Sequence, residues 1–184
     1  MRNVVYGINL TLDGCCDHTK ANGSEDIHEY FTQLLQKADT VVYGRKTYEL
    51  MVPYWPDVEK NLSGKKTEIE FAKAFNALKK VVFSRSLTST EDENTRIVST
   101  DLRNEILRLK QQPGKDISIG GVDLPSQLIQ LGLIDEFYFV VHPIIAGAGR
   151  RLFNDTMLPQ SLGLKLVDSQ TLPSGCVALH YIKH

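Results

Sequence analysis

A pair of glycines, Gly120 and Gly121, interrupts the most informative stretch of the sequence. The apolar residues before the pair predict a buried strand over 117–119, and the leucines after it predict a helix that ends at Gly132. Neither glycine of the pair has a Cβ, so the backbone can approach a ligand closely. The free N–H groups at the start of the following helix favour an anion such as phosphate. The pattern predicts either a nucleotide-binding turn or a plain tight turn.

Two other predicted strands end at residues that suit phosphate. Arg45 and Thr47 follow the strand that ends at Gly44, and Ser84 and Arg85 follow the next one. Arginine offers phosphate a planar fork of donors, and Thr and Ser hydroxyls add short hydrogen bonds. Ligands of open α/β sheets bind outside the carboxyl ends of the strands. We therefore expect the three strand ends to meet around one ligand, although a single arginine of this kind is usually a solvated surface charge.

The elements that must position these residues alternate between strand and helix. The tail differs, because 164–170 and 176–182 predict two strands joined by a turn at 173–175. This order predicts a single α/β domain over residues 1–184, with a mostly parallel sheet and a C-terminal antiparallel hairpin. Strands are predicted over 4–10, 40–43, 81–83, 96–98, 117–119 and 137–142, and the last of these is predicted to be antiparallel. Helices are predicted over 24–38, 45–51, 66–78, 102–109 and 124–131. Residues 53–56 are predicted to break the chain, and residues 57–64 to form a polar loop.

The composition argues against several classes of protein. The 184 residues are 42% hydrophobic and 23% charged, as in an ordinary globular domain. The net charge of −1 provides no basic field for nucleic acid, and no apolar run reaches the ~18 residues of a membrane span. The three cysteines show no Cys-x-x-Cys spacing, so we expect no metal site. A reduced, cytoplasmic setting is the default expectation.

Several segments of the sequence resemble one family. Residues 38–49 are similar to the Gly-Arg-x-Thr-Tyr/Trp-Glu segment of dihydrofolate reductase-like proteins. Residues 119–136 and 142–153 resemble the reductase domain of bifunctional riboflavin-biosynthesis deaminase/reductases, and 9–14 resembles the first strand and Asp-Gly turn of that group. The matches follow the family order over nearly the whole chain. The chain is therefore identified as a stand-alone member of that reductase type, and the resemblance implies a three-layer α/β/α fold.

The same resemblance implies an NADPH-dependent reductase of a small heterocyclic or carbonyl substrate. The most similar activity is that of 5-amino-6-(5-phosphoribosylamino)uracil reductase. The zinc pattern of the deaminase half is missing, so a reductase of another substrate fits equally well. The alternatives are a dihydrofolate or pterin reductase and a non-catalytic nucleotide-binding module. The implied cofactor contacts are Gly44, Arg45, Lys46, Thr47, Ser84, Arg85, Gly120 and Gly121.

Two carboxylates are candidate catalytic residues, because the reduction needs a proton as well as a hydride. Asp26 lies early in the first helix, where dihydrofolate reductases carry an acidic residue that binds the pterin ring. It could equally serve the helix dipole. Asp13 lies in the Asp-Gly turn on the nicotinamide side, where turn chemistry explains it as well.

The remaining predictions concern the substrate and the rim of the site. Asn9 and Trp55 are the candidate substrate contacts, and Trp55 serves equally well as a loop anchor. Asp123 places a carboxylate near the expected pyrophosphate unless it caps its own helix. Residues 147–152 are either a flexible turn or, by resemblance, part of the site rim or of a subunit contact. The apolar residues 137–141 and the late strands could form a homodimer interface. Packing in the core of a single domain explains the same apolar residues equally well.

Overall fold

The computed structural model describes residues 1–17, 19, 23–153 and 161–184. His18, three residues at 20–22 and the segment 154–160 lie outside the described residues. The strands and helices, in chain order, are β1 (Val4–Thr11), α1 (Glu25–Gln36), β2 (Ala38–Gly44), α2 (Arg45–Met51), α3 (Tyr54–Asn61), α4 (Lys66–Asn76), β3 (Lys79–Phe83), β4 (Thr95–Val98), α5 (Leu102–Gln111), β5 (Asp116–Ile119), α6 (Asp123–Gln130), β6 (Glu136–His142), β7 (Leu164–Thr171) and β8 (Val177–Lys183).

The strands form one sheet in the order β4-β3-β2-β5-β1-β6-β8-β7. Strands β4 to β6 in this order are all parallel, and β8 runs antiparallel to both β6 and β7. The mostly parallel sheet and the terminal hairpin are confirmed. The expectation that 137–142 is antiparallel is wrong for one of its neighbours, because β6 pairs in parallel with β1 over seven residues before β8 closes on its other side.

Helices cover both faces of the sheet, as predicted for a three-layer fold. Strand β2 shows why, since Val41 and Tyr43 pack with one apolar cluster and Val42 packs with the other. Side chains of a strand alternate between faces, so a strand that is apolar throughout needs a helical layer on each side. One layer contains α1 to α4, which supply Leu35, Tyr48, Trp55, Phe71 and Phe75; the other contains α5 and α6, which supply Ile106, Leu109, Leu124, Leu128 and Ile129.

The sequence prediction is wrong between residues 53 and 64. Helix α3 replaces most of the expected break and polar loop and buries Val58, and it packs mainly against α4. Pro56 lies in the first turn of that helix, where a missing N–H removes no intrahelical hydrogen bond. The two prolines that suggested a break therefore permit a helix start. Among the described residues, no helix is long and apolar enough to cross a membrane.

Candidate functional site

Three predicted phosphate-binding strand ends lie side by side. Strands β3, β2 and β5 are consecutive and parallel, and their register aligns Gly44 with Phe83 and Val42 with Ile119. Neighbouring strands are about 4.8 Å apart. Ser84, Gly44 and Gly120, which come at or just after these ends, therefore share one edge of the sheet. We call this edge, continued by the ends of β1 and β6, the carboxyl edge. The expectation that the three strand ends lie together is confirmed, whereas their meeting around one ligand stays a prediction.

The glycine pair forms a turn that packs tightly against neighbouring side chains. Gly121 has a φ of +89°, and a Cβ there would lie 2.5 Å from Thr47 Oγ1 on α2. A Cβ on Gly120 would collide with the ring of Tyr43. The Tyr6 hydroxyl donates a hydrogen bond of 2.9 Å to the Gly121 carbonyl, and burial raises the pKa of that hydroxyl. The internal packing of the turn thus requires glycine at both positions.

The cationic residues of the carboxyl edge are accessible to solvent. Arg45 begins α2 and donates to both carboxylate oxygens of Glu49, at 2.9 and 3.0 Å, while the next residue, Lys46, is exposed. Arg85 is exposed after β3, and Ser84 Oγ accepts N–H groups of the turn that follows, with Leu87 N at 2.8 Å. Exposed ion pairs contribute little to stability, so Arg45 is free to exchange Glu49 for an anion at small cost.

Asp13 joins two loops at the end of β1. Its carboxylate accepts the Thr11 hydroxyl at 2.6 Å and the backbone N–H groups of Ala146 and Gly147 at 3.0 Å each. These hydrogen bonds, led by the one from Thr11, lower the pKa of Asp13 to about 2. The carboxylate is ionised at neutral pH and cannot donate a proton there. A catalytic role for Asp13 stays a prediction, and its contacts give it a loop-fastening role.

Asp26 joins α1 to the turn between β7 and β8. Its carboxylate accepts the Ser24 hydroxyl, the N–H of Ser174 at 2.7 Å and the N–H of Ile27 at 3.1 Å. Desolvation raises the pKa of Asp26, but these hydrogen bonds outweigh it and lower the pKa to about 2. Ser24 occupies the N-cap position as expected, yet its side chain binds Asp26 and no backbone N–H of the helix. The catalytic role of Asp26 likewise stays a prediction.

The segment 147–152 lies against the loop that follows β1. The N–H of Cys16 donates to the Arg150 carbonyl at 2.7 Å, and Cys15 forms an isolated antiparallel bridge with Arg151. These contacts favour the interpretation of the segment as a rim of the carboxyl edge over that of a flexible turn. The Arg150 side chain pairs with Asp123. The alternative that Asp123 caps its own helix is wrong, because the N-cap of α6 is Val122 and no side chain caps it.

Residues 2–178 match the family of RibD C-terminal domains. The chain belongs to this family. RibD C-terminal domains are reductase domains of the riboflavin pathway, so the chain is assigned to a family of oxidoreductases.

One relative supports the family assignment, and two solved structures show the fold. The chain is 36% identical over 185 residues to the uncharacterized protein YyaP of Bacillus subtilis (strain 168), an alignment covering 98% of this chain and 94% of YyaP. A putative riboflavin biosynthesis protein from Shewanella sp. PV-4 superposes with a TM-score of 0.74 at 20% identity, covering 100% and 99% of the two chains. RibD of Acinetobacter baumannii superposes with a TM-score of 0.69 at 20% identity, covering 100% of this chain and 58% of that one. The RibD-type, dihydrofolate reductase-like fold is thus shown.

Of the two predicted substrate contacts, Trp55 lies in an aromatic cluster between helices. Its ring centroid is 4.5 Å from that of Phe71, 4.8 Å from that of Tyr54 and 6.0 Å from that of His28. These contacts join α3 to α1 and α4 and favour the anchor interpretation. A substrate contact by Trp55 stays a prediction, with exposed Tyr54 as the more accessible neighbour.

Asn9 lies on β1 and has a partner that the sequence did not reveal. Its Oδ1 is 3.0 Å from Nε2 of His142 at the end of β6, and His142 is only 3% exposed. Burial lowers the pKa of His142, which the negative charge of Asp26 partly offsets. The sequence marked His142 only as the end of a strand, because pairing with Asn9 depends on the parallel register of β1 and β6.

Two cavities of about 400 and 440 Å³ lie elsewhere on this RibD-type domain. None of the predicted site residues lines either cavity. The larger is at the amino ends of β2, β3 and β4, and the charges that line it include Arg2, paired with Asp39, and Lys80, paired with Asp92. Because no predicted site residue lines either cavity, the carboxyl edge remains the candidate site.

Proposed function

We propose that the protein is an NADPH-dependent reductase of a small heterocyclic or carbonyl substrate, most like 5-amino-6-(5-phosphoribosylamino)uracil reductase. Family membership supports the reductase assignment. The observation that carries the cofactor assignment is the adjacency of three strand ends, with a glycine turn at one and accessible cations at the other two. Such an edge is where open α/β sheets bind nucleotides.

The residues of the carboxyl edge fit a phosphorylated dinucleotide. Gly44 to Thr47 and the pair Gly120 and Gly121 would hold the pyrophosphate, because α6 begins without a side-chain cap and its first N–H groups stay available. The carboxylate of Asp123 in that first turn is offset by Arg150. Ser84 and Arg85 would hold the adenosine 2′-phosphate one strand beyond Gly44. When bound, the nicotinamide supplies the hydride.

The choice of NADPH over NADH follows from charge. A 2′-phosphate needs cations nearby, whereas enzymes specific for NADH place an acidic residue at the ribose. Arg85 is exposed directly after β3, next to strand β2, which ends at Gly44 and is followed by Arg45. The substrate would then lie toward β1 and β6, beside Asn9 and Asp26. We further propose a cytoplasmic homodimer, which size-exclusion chromatography with light scattering tests directly.

Calorimetric titration with NADPH and NADH tests the cofactor assignment. We expect NADPH to bind more tightly, and Arg45→Ala to weaken it by about tenfold or more, the loss typical of a charge-assisted hydrogen bond. The same loss is expected for Lys46→Ala. Lys73→Ala is the matched control, since Lys73 is an exposed lysine in the last turn of α4, which leads into the amino end of β3.

Binding of neither nucleotide by the folded protein would refute the reductase proposal and favour a non-catalytic module. If NADPH binds, its oxidation with the uracil above and with dihydrofolate as alternative acceptors distinguishes the two substrate classes. Turnover of dihydrofolate alone would favour the dihydrofolate reductase alternative.

A further inference from the structure

A polar pair, Asn9 and His142, lies at the part of the carboxyl edge formed by β1 and β6, which the proposed cofactor does not occupy. Asn9 and His142 belong to adjacent strands, and their side chains meet on the sheet face that α1 covers, since a Cβ on Gly7, two residues before Asn9, would touch Phe31 and Leu34 of α1. Strand β1 is also the neighbour of β5, whose end carries the glycine turn. The pair is therefore one strand away from the proposed pyrophosphate site.

The hydrogen bond between the two residues defines which nitrogen of His142 carries the proton. Burial keeps the pKa of His142 below its usual value, so the ring is neutral at neutral pH and has a single N–H donor. The nearest atom of Asn9 is its Oδ1, which can only accept. In this orientation of the amide, the contact is a hydrogen bond when Nε2 of His142 carries the hydrogen, whereas a reversed amide would require the other tautomer.

The amide nitrogen of Asn9 is left without a protein partner. Among the residues that the structure describes, nothing accepts a hydrogen bond from Asn9 Nδ2, and Asn9 itself is only partly buried. Buried polar groups have hydrogen-bond partners in the protein or in ordered water, so at this partly open position solvent satisfies the amide until a ligand replaces it. The two N–H groups of Asn9 are thus held in a set direction and remain available to a ligand.

We infer that His142 is a positioning residue that orients Asn9, and that Asn9 Nδ2 binds an uncharged acceptor of the substrate, a carbonyl oxygen or ring nitrogen of a lactam or pyrimidine ring. The ionised carboxylate of Asp26 lies near enough to affect His142 and disfavours an anionic group at this point. The inference rests on the proposed function for the identity of the ligand. The orientation of Asn9 by His142 does not.

The first test uses the protein without any ligand. The ¹⁵N chemical shifts of the histidine ring distinguish the two neutral tautomers and the imidazolium, with His142→Gln identifying the resonance. We expect the Nε2–H tautomer at neutral pH. An Nδ1–H tautomer or a charged ring would overturn the positioning role, whether or not the protein binds NADPH.

The second test measures binding of 5-amino-6-(5-phosphoribosylamino)uracil to the NADP⁺-saturated protein. His142→Leu removes the donor and is expected to raise the Kd of the uracil by about tenfold. His142→Gln can place an amide N–H near the position of Nε2–H and should restore most of the affinity. Asn9→Asp keeps the acceptor for His142 but replaces the outward donor with a second acceptor, so it should weaken the uracil even more.

The affinity for NADP⁺ should be unchanged in all three variants, and thermal melting confirms that each is folded. Equal uracil affinity of wild type and Asn9→Asp would overturn the inference without needing the His142 variants to fold. Failure of the wild-type protein to bind the uracil, while it binds NADP⁺, would overturn the substrate class and leave the cofactor proposal standing. Failure to bind NADP⁺ at all counts against the proposed function. The tautomer of His142 in the ligand-free protein then still tests whether His142 orients Asn9.

Discussion

Gly121→Ala tests whether the glycine turn is built for close packing against α2. Two costs add at this position. An L-residue at a φ of +89° costs about 1–2 kcal/mol, and the new methyl would lie 2.5 Å from Thr47 Oγ1, an overpacking that typically costs about 1–3 kcal/mol. We expect a loss of about 2–5 kcal/mol in the free energy of unfolding, or a Tm lower by roughly 5–15 °C for a chain of this size.

Gly14→Ala is the matched control for this variant. Gly14 has a φ of +76°, but a Cβ there meets no atom within 4 Å, so only the backbone cost of about 1–2 kcal/mol applies. The double variant Gly121→Ala/Thr47→Ala should regain most of the difference, because the Thr47 hydroxyl is the closest obstacle. Urea unfolding of wild type, Gly121→Ala, Thr47→Ala and the double variant gives the coupling energy. Equal destabilisation by Gly121→Ala and Gly14→Ala would refute the packing argument, and unchanged NADPH affinity of folded Gly121→Ala would separate the turn from the cofactor.

Two further predictions concern charged groups. The pKa of Asp26 is about 2 in the folded protein and about 3.9 when unfolded, so the stability that its carboxylate contributes is complete above pH ~4 and is lost as the pH falls toward 2. Asp26→Asn should therefore be less stable than wild type at neutral pH, and its urea midpoint should fall less on acidification. Identical pH profiles of the two urea midpoints would contradict the lowered pKa of Asp26. The Lys80 side chain is 2% exposed, and its Nζ lies 3.3 Å from Asp92 Oδ2. Asp92→Asn leaves this buried charge uncompensated and should lower the free energy of unfolding by about 2 kcal/mol or more. Lys80→Met removes the charge and should lower it less in the same urea assay; the opposite order would contradict the view that the uncompensated charge causes the loss.

The sequence predicted much of the fold because its elements follow local rules. Alternating apolar runs and glycine stops identified β2, α2 and α6 to within a few residues, and the Pro173–Gly175 turn identified the hairpin. The loop predicted over 57–64 was wrong because the buried positions of α3 are too few to show a helical period. The prediction that β6 is antiparallel was wrong for its pairing with β1. The two strands are about 130 residues apart in the sequence, and no local pattern indicates such a parallel pairing.

The candidate site was predictable only where the site residue directly follows a strand in the sequence. Gly44, Ser84 and Gly120 were placed correctly on one edge, since each is adjacent in sequence to its strand. The partners of Asp13 and Asp26 were not predictable, because Gly147 and Ser174 lie more than a hundred residues away along the chain. Those partners change the chemistry of both carboxylates, from candidate acids to ionised loop fasteners.

The ionised state of both carboxylates constrains where the proton of a reduction can come from. A carboxylate with a pKa of about 2 holds almost no proton at neutral pH, so the contacts of Asp13 and Asp26 in this structure disfavour a general-acid role for either one, and their catalytic roles stay predictions. Under the proposed reductase function, water would therefore supply the proton. For a substrate that is reduced at a C=N bond, the negative charge of Asp26 would stabilise the protonated C=N group, which accepts hydride more readily than a neutral one. This order predicts that substrate reduction slows as the pH rises past the pKa of that C=N group, with no dependence on a protein acid.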